Sequence, residues 1–165
     1  MPLSRHLPAG YAVGRVGVAD ALHVVPLLRA VDREEIEALV GRPALDVVAS
    51  WITHSSRVLT IHGEPSVLFG IEPSTTQPGH AMPWTAAVST MPFDDMMNVL
   101  WLSRLQIDFW QRRWRVLENV CDARNGFHRQ WLEWLGFQPE ERVEKFGAAR
   151  LPFDLYSRAR GPTVH

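Results

Sequence analysis

The chain has 165 residues, 46% hydrophobic and 21% charged, with a formal net charge of −1. That balance builds one globular domain and excludes long disorder, and a near-neutral chain lacks the positive field that would hold nucleic acid or an anionic membrane. The single cysteine, Cys121, excludes an internal disulfide and a cysteine-based zinc cluster.

Residues 1–10 contain two prolines and no apolar core, so they read as a flexible N-terminal tail rather than a signal peptide. Residues 11–158 form the predicted domain and 159–165 a C-terminal tail. Residues 11–19 read as a strand with two interior glycines, which favours an edge. Asp20 opens a helical stretch (Ala21, Leu22, Val25, Leu28) that Pro26 bends or restarts. Asp32 reads as the N-cap of a second helix, with Glu34 and Glu35 in its first turn. Gly41 and Pro43 end it, and residues 44–54 give a third helix with Leu45, Val48, Trp51 and Ile52 inward.

Residues 57–62 and 66–71 flank Gly63-Glu-Pro65 and predict a hairpin. A turn-rich loop over 73–80 leads to a strand over 81–90 with Trp84, Ala86 and Val88 alternating. Pro92 opens a helix to about Trp114 that is apolar almost all round, the mark of an element covered on more than one side. A strand over 115–121, a helix over 125–135 stopped by Gly136, and strands at 143–146 and 151–156 complete the order β-α-α-α-β-β-β-α-β-α-β-β. This is an α/β (α+β) chain with one mixed, mostly antiparallel sheet flanked by helices on both faces.

That order, with two segments inside it, resembles the GNAT N-acetyltransferase superfamily. One segment is Arg15-Val-Gly-Val-Ala-Asp20-Ala21 followed by Pro26-Leu-Leu-Arg29. The other is Asn125-Gly-Phe-His-Arg-Gln-Trp-Leu-Glu-Trp-Leu-Gly136-Phe137, which is similar to the family's Asn-x-x-Ala-x-x-Leu-Tyr-x-x-x-Gly-Phe signature. Stretches around His62–Pro73, Met82–Thr85, Asp122–Asn125 and Leu151–Phe153 are similar to a phage-encoded branch that includes the internal virion protein A type of short-tailed phages.

The resemblance implies a cleft for acetyl-CoA, with its diphosphate on glycine-bearing amides at a helix start. Here that stretch is Ser89-Thr-Met-Pro-Phe-Asp-Asp-Met96, with no glycine, no basic residue, and Asp94 and Asp95 at the helix end. His128 stands where the family has a small Ala. Leu132 stands where it has the Tyr that protonates the departing thiolate, and leucine has no proton to give.

The candidate catalytic residues are Glu72, which follows the third strand where some relatives carry a base, Cys121 and Tyr156. Each has a plain structural reading as a solvated strand end or a core side chain. If acyl-CoA binds, main-chain groups near Val88 and Ser89 pair with its pantetheine and Asn125 orients it. The seven histidines show no ligand spacing, so no metal is expected. Arg112, Arg113 and Arg115 suit a helix C-terminus without any ligand. Trp110, Trp114, Trp131 and Trp134 read equally as core or as a partner surface.

The expectation is therefore a GNAT-fold virion or morphogenesis protein acting by protein binding, with a degenerate acetyl-CoA site and no resident cofactor. Its partners are other virion or assembly proteins, or a second copy of itself, with no sequence-specific nucleic acid and no membrane span. Its place is the host cytoplasm during assembly and then the virion. The alternative is an acetyl-CoA-dependent N-acyltransferase, and the second alternative an inhibitor of a host protein.

Overall fold

In the computed structural model of the chain, residues 2–161 are described. Strand β1 (Tyr11–Arg15) pairs antiparallel with β2 (Arg57–Ile61), and β2 with β3 (Glu64–Pro73). The turn between β2 and β3 is two residues, His62 and Gly63, both at positive φ (51° and 90°). Positive φ at both central positions matches the right-handed twist of a hairpin, and Gly63 adopts it without a steric cost. β3 pairs with β4 (His80–Ala87) over seven positions. Beyond β4 come β5 (Val116–Asp122), β7 (Leu151–Ala159) and β6 (Gln138–Phe146), giving one seven-stranded sheet in the order β1-β2-β3-β4-β5-β7-β6.

All neighbours are antiparallel except β4 and β5, which run parallel and meet at His80↔Val116 and Ala81↔Leu117. The main-chain groups of Ala81, Pro83, Thr85 and Ala87 alternate toward the β5 side, because the Val88 N–H donates the other way, to Ser66 O at 3.0 Å. Pro83 has no N–H to extend the ladder. Its carbonyl is taken by the Asn119 side-chain amide at 3.0 Å. There the strands part, and a V opens between them.

Alternation sorts the core into two layers. Leu68, Trp84 and Ala86 face α1 (Val18–Val24), α2 (Ala30–Val40) and α3 (Ala44–Trp51) in one cluster, where Val47 and Val48 are fully buried. Val67 and Phe69 face α4 (Phe93–Gln111) on the opposite side. Leu117 and Cys121 of β5 pack there too, against α4 and α5 (Gly126–Trp134). The Trp84 indole lies over Gly70, whose Cβ would stand 2.7 Å from Trp84 Nε1, so that position has room only for glycine.

Several boundaries differ from those the sequence suggests. Residues 1–10 do not form a free tail: Pro2–Arg5 make a turn of 3-10 helix, and Leu3 is buried with β2, β3 and α4. Residues 16–19 leave the first strand, and α1 starts at Val18. α2 starts at Ala30 with Arg29 as its N-cap residue, and Asp32 lies in the first turn gripping the Arg29 guanidinium at 2.5 and 2.7 Å. The two acidic edge-strand residues Glu140 and Glu141 belong to β6, which begins five residues before the predicted 143. β7 runs on to Ala159, and the Arg160 side chain binds the carbonyls of Gln111, Arg112 and Trp114 that end α4. Of the proposed C-terminal tail, residues 162–165 lie outside the described residues. No helix among the described residues is long and apolar enough to cross a membrane.

Candidate active site: the cleft between β4 and β5

Because Pro83 ends the ladder, the N–H and C=O of Thr85 and Ala87 face an open space instead of a strand. The space is a cavity of about 510 Å³ walled by β4, β5, α2, α4 and α5. Its lining is mainly apolar, including Ile36, Met96, Val99, Trp131 and Leu132. Three polar atoms of lining residues, Glu72 Oε1, Trp84 Nε1 and Trp131 Nε1, are buried with no hydrogen-bond partner. Unpaired main-chain groups beside an apolar slot suit an extended ligand bearing amides, which pairs as a strand would.

Val88 and Ser89 line the cavity, but their amides are not the ones on offer. Val88 N–H belongs to Ser66 O and Ser89 N–H to Leu27 O, at 3.0 and 2.8 Å. Strand alternation moves the pairing role to Thr85 and Ala87. The start of α4 has no side-chain cap, Pro92 standing at the N-cap position, so its first amides and the helix dipole face outward. The Asp94 side chain is exposed there. The Asp95 carboxylate accepts the Tyr11 hydroxyl at 2.5 Å, and Asn98 donates to that hydroxyl at 3.2 Å. The residues present thus fit an acyl-pantetheine arm. At the diphosphate end only main-chain amides fit, beside one exposed carboxylate.

Glu72 lies inside β3 rather than after it, opposite Met82, and lines the cavity from the α1–α3 side. Burial pushes its carboxyl above the usual carboxylate range, and nearby Trp84 opposes the shift. A carboxylate whose pKa is raised is a stronger base toward an ammonium proton than an ordinary one.

Across the cleft lies a polar cluster. Glu35 of α2 is buried; its Oε1 stands 2.6 Å from His128 Nδ1, and its Oε2 accepts the Asp122 N–H at 2.9 Å and the Asn125 amide at 3.2 Å. Asn125 caps α5 by accepting the His128 N–H, and it also donates to Asp32 Oδ1 at 2.9 Å. Every polar group of the Asn125 side chain is thereby used internally, so Asn125 builds the wall and does not orient a ligand. His128, which stands where the resembling family has a small Ala, lines the cavity with its Nδ1 engaged by Glu35.

Cys121 is fully buried, and its thiol donates to the carbonyls of Asp122 and Asn125 at 3.4 and 3.6 Å. Burial first, then the Glu35 carboxylate, push it far above the ordinary thiol range. It is a protonated core thiol, not a nucleophile. Tyr156 is buried in the same layer, its hydroxyl donating to Glu133 Oε1 at 3.2 Å. Burial and then that carboxylate push it up to about 12. It does not line the cavity.

Spacing along the chain reveals no ligand set, yet one atom each of Glu35, Cys121 and His128 lie within 4.8 Å of one another. The pairing of Glu35 with His128 spans 93 residues, and the one local trace of it is Asp32 and Glu35 one turn apart on the same face of α2. Trp131 belongs to the α5 core contact, while Trp134 is 43% exposed under the Arg104 guanidinium.

No family model matches the sequence, and no curated protein matches it. Solved structures match it in shape. Ribosomal-protein-S18-alanine N-acetyltransferase from Escherichia coli aligns with a TM-score of 0.67 at 14% identity, over 94% of this chain and 99% of that one. A GCN5-related N-acetyltransferase from Kribbella flavida aligns at 0.67 and 16%, over 93% and 100%. The microcin C7 self-immunity acetyltransferase MccE, solved with acetyl-CoA and AMP, aligns at 0.66 and 11%, over 93% and 94%. This chain has the GNAT fold.

Proposed function

We propose that the protein is an acyltransferase that moves an acyl group, acetyl foremost, from coenzyme A to an amine. One observation carries the reading: the sheet splits at Pro83 and leaves Thr85 and Ala87 unpaired along an apolar cavity. The solved structures that share this fold, one of them holding acetyl-CoA, support it. A bound acyl thioester supplies an activated carbonyl carbon. The chain's own part is to hold the pantetheine arm on Thr85 and Ala87, to exclude water with Met96, Val99, Trp131 and Leu132, and to take the ammonium proton on Glu72.

Calorimetry with acetyl-CoA tests this. Binding is expected, with the protein stabilised by about 2.7 kcal/mol at 100 times the dissociation constant. An absence of both heat and thermal shift at millimolar acetyl-CoA sinks it.

Another reading has its own observation. On α4, Phe93, Met97 and Trp101 follow at intervals of four and are 68%, 47% and 47% exposed. Such a stripe suits a protein partner, including a virion or assembly protein or a second copy. Mass spectrometry of purified particles checks it, and absence from particles and assembly intermediates counts against it.

A further inference from the structure

We infer that His128, held by Glu35, is the group that delivers a proton to the departing thiolate; the inference rests on the acyltransferase reading above. His128 Nδ1 stands 2.6 Å from Glu35 Oε1. A carboxylate accepts and does not donate, so Nδ1 carries the hydrogen of that bond. Nε2 is then the basic nitrogen, free of that bond, on a residue that lines the cavity.

Glu35 is fixed for this task. Its other oxygen is held by the Asp122 main chain and the Asn125 amide, and Asn125 is the cap of the helix bearing His128. One buried residue therefore sets the ring and the helix together. His128 lies four residues before Leu132 on the same face of α5, so the imidazole enters the cleft one turn from the leucine that has no proton to give. Cys121 takes no part, because its S–H is spent on carbonyls.

The step balances as follows. The amine nitrogen bonds to the acyl carbon, and the carbon–sulfur bond breaks with its electron pair on sulfur. Glu72 has already removed the ammonium proton. The nitrogen sheds one further proton, His128 Nε2 takes it, and the imidazole returns it to sulfur as a thiol. His128 ends neutral with Nδ1–H still on Glu35. Glu35 is the positioning residue and His128 the catalytic one.

Nitrogen-15 NMR of the histidine rings in the full chain tests the arrangement without turnover. The expected result is an Nδ1–H tautomer at His128 whose Nε2 resonance moves on titration with coenzyme A. An Nε2–H tautomer, or an Nε2 unmoved by saturating coenzyme A, overturns it. Kinetics supply another arm. His128→Gln should bind acetyl-CoA within about threefold of the parent while kcat falls about 10²- to 10⁴-fold. The loss should shrink to a few-fold with the acetyl thioester of 4-nitrothiophenol, whose thiolate leaves without a proton. Parent-like kcat in His128→Gln overturns this inference alone, whereas a parent protein that does not bind acetyl-CoA overturns the acyltransferase reading and this one with it.

Discussion

Glu72 illustrates how one side chain can trade stability for chemistry. Its Oε1 is buried without a hydrogen bond, and its folded pKa lies above the ordinary value of 4.5 because burial disfavours the charged form. A raised carboxyl contributes stability that is full below the unfolded pKa and is lost as pH rises through the folded one. Glu72→Gln stays neutral at every pH. The variant should therefore be more stable than the parent in urea titrations at pH 7, with the difference vanishing near pH 4, while acyl transfer at pH 7 falls. A variant that is less stable at pH 7 contradicts the assigned environment.

Other residues gain their roles from neighbours far along the chain. Glu35 reads in the sequence as one of several acids welcome in a first helical turn. Only the fold shows it buried against His128 and Asn125. Cys121 and Tyr156 are chemically eligible and structurally spent, since burial raises both and their donors are already engaged. Residue type announces what a side chain can do; burial and partners decide whether it is free to do it.

Among the elements, α5 depends on a single position. Asn125 supplies its N-cap and also satisfies two carboxylates from α2. Asn125→Ala removes the cap and leaves Asp32 and Glu35 short of a donor, so a loss of about 2–4 kcal/mol is expected in chemical denaturation. A loss under about 0.5 kcal/mol, the range of an ordinary surface change, contradicts the joint described.

Elements with strong local signals are legible in the sequence: the β2–β3 hairpin, whose turn falls at His62-Gly63 instead of Gly63–Pro65, α3, the Pro92 start of α4, and the Gly136 stop of α5, where φ is 88°. The early start of β6 is not, because its exposed edge residues Gln138-Pro-Glu-Glu141 hold a proline and no apolar alternation. Nor is the cleft. A proline within a strand reads as an edge signal, and nothing local tells that Pro83 faces a parallel neighbour which it must release. The change of amide pair, from Val88 and Ser89 to Thr85 and Ala87, follows from strand phase, which only the register fixes.

For the whole molecule, the fold class and element order follow from the sequence, and the GNAT-like solved structures agree over more than nine-tenths of the chain. The virion and host-inhibitor readings rest on the resemblance and on the exposed α4 stripe. A measurement on the entire chain bears on the cleft directly. Amide exchange at Thr85 and Ala87 should be far faster than at Leu68 or Phe69 one strand away, and acetyl-CoA should slow it at those two sites first. Equal protection without ligand would mean that the strands close over the gap.

The two short β4–β5 pairings carry a mechanical meaning. Four strands lie on one side of them and three on the other, so the sheet is two leaves sharing a brief seam. The far rim is tied by the β6–β7 tip, whose Ala148 and Ala149 amides donate to Leu39 and Ala38 at the end of α2. The gap between the leaves is therefore bounded by the seam at one end and by this tie at the other, which fixes how far the two leaves can part.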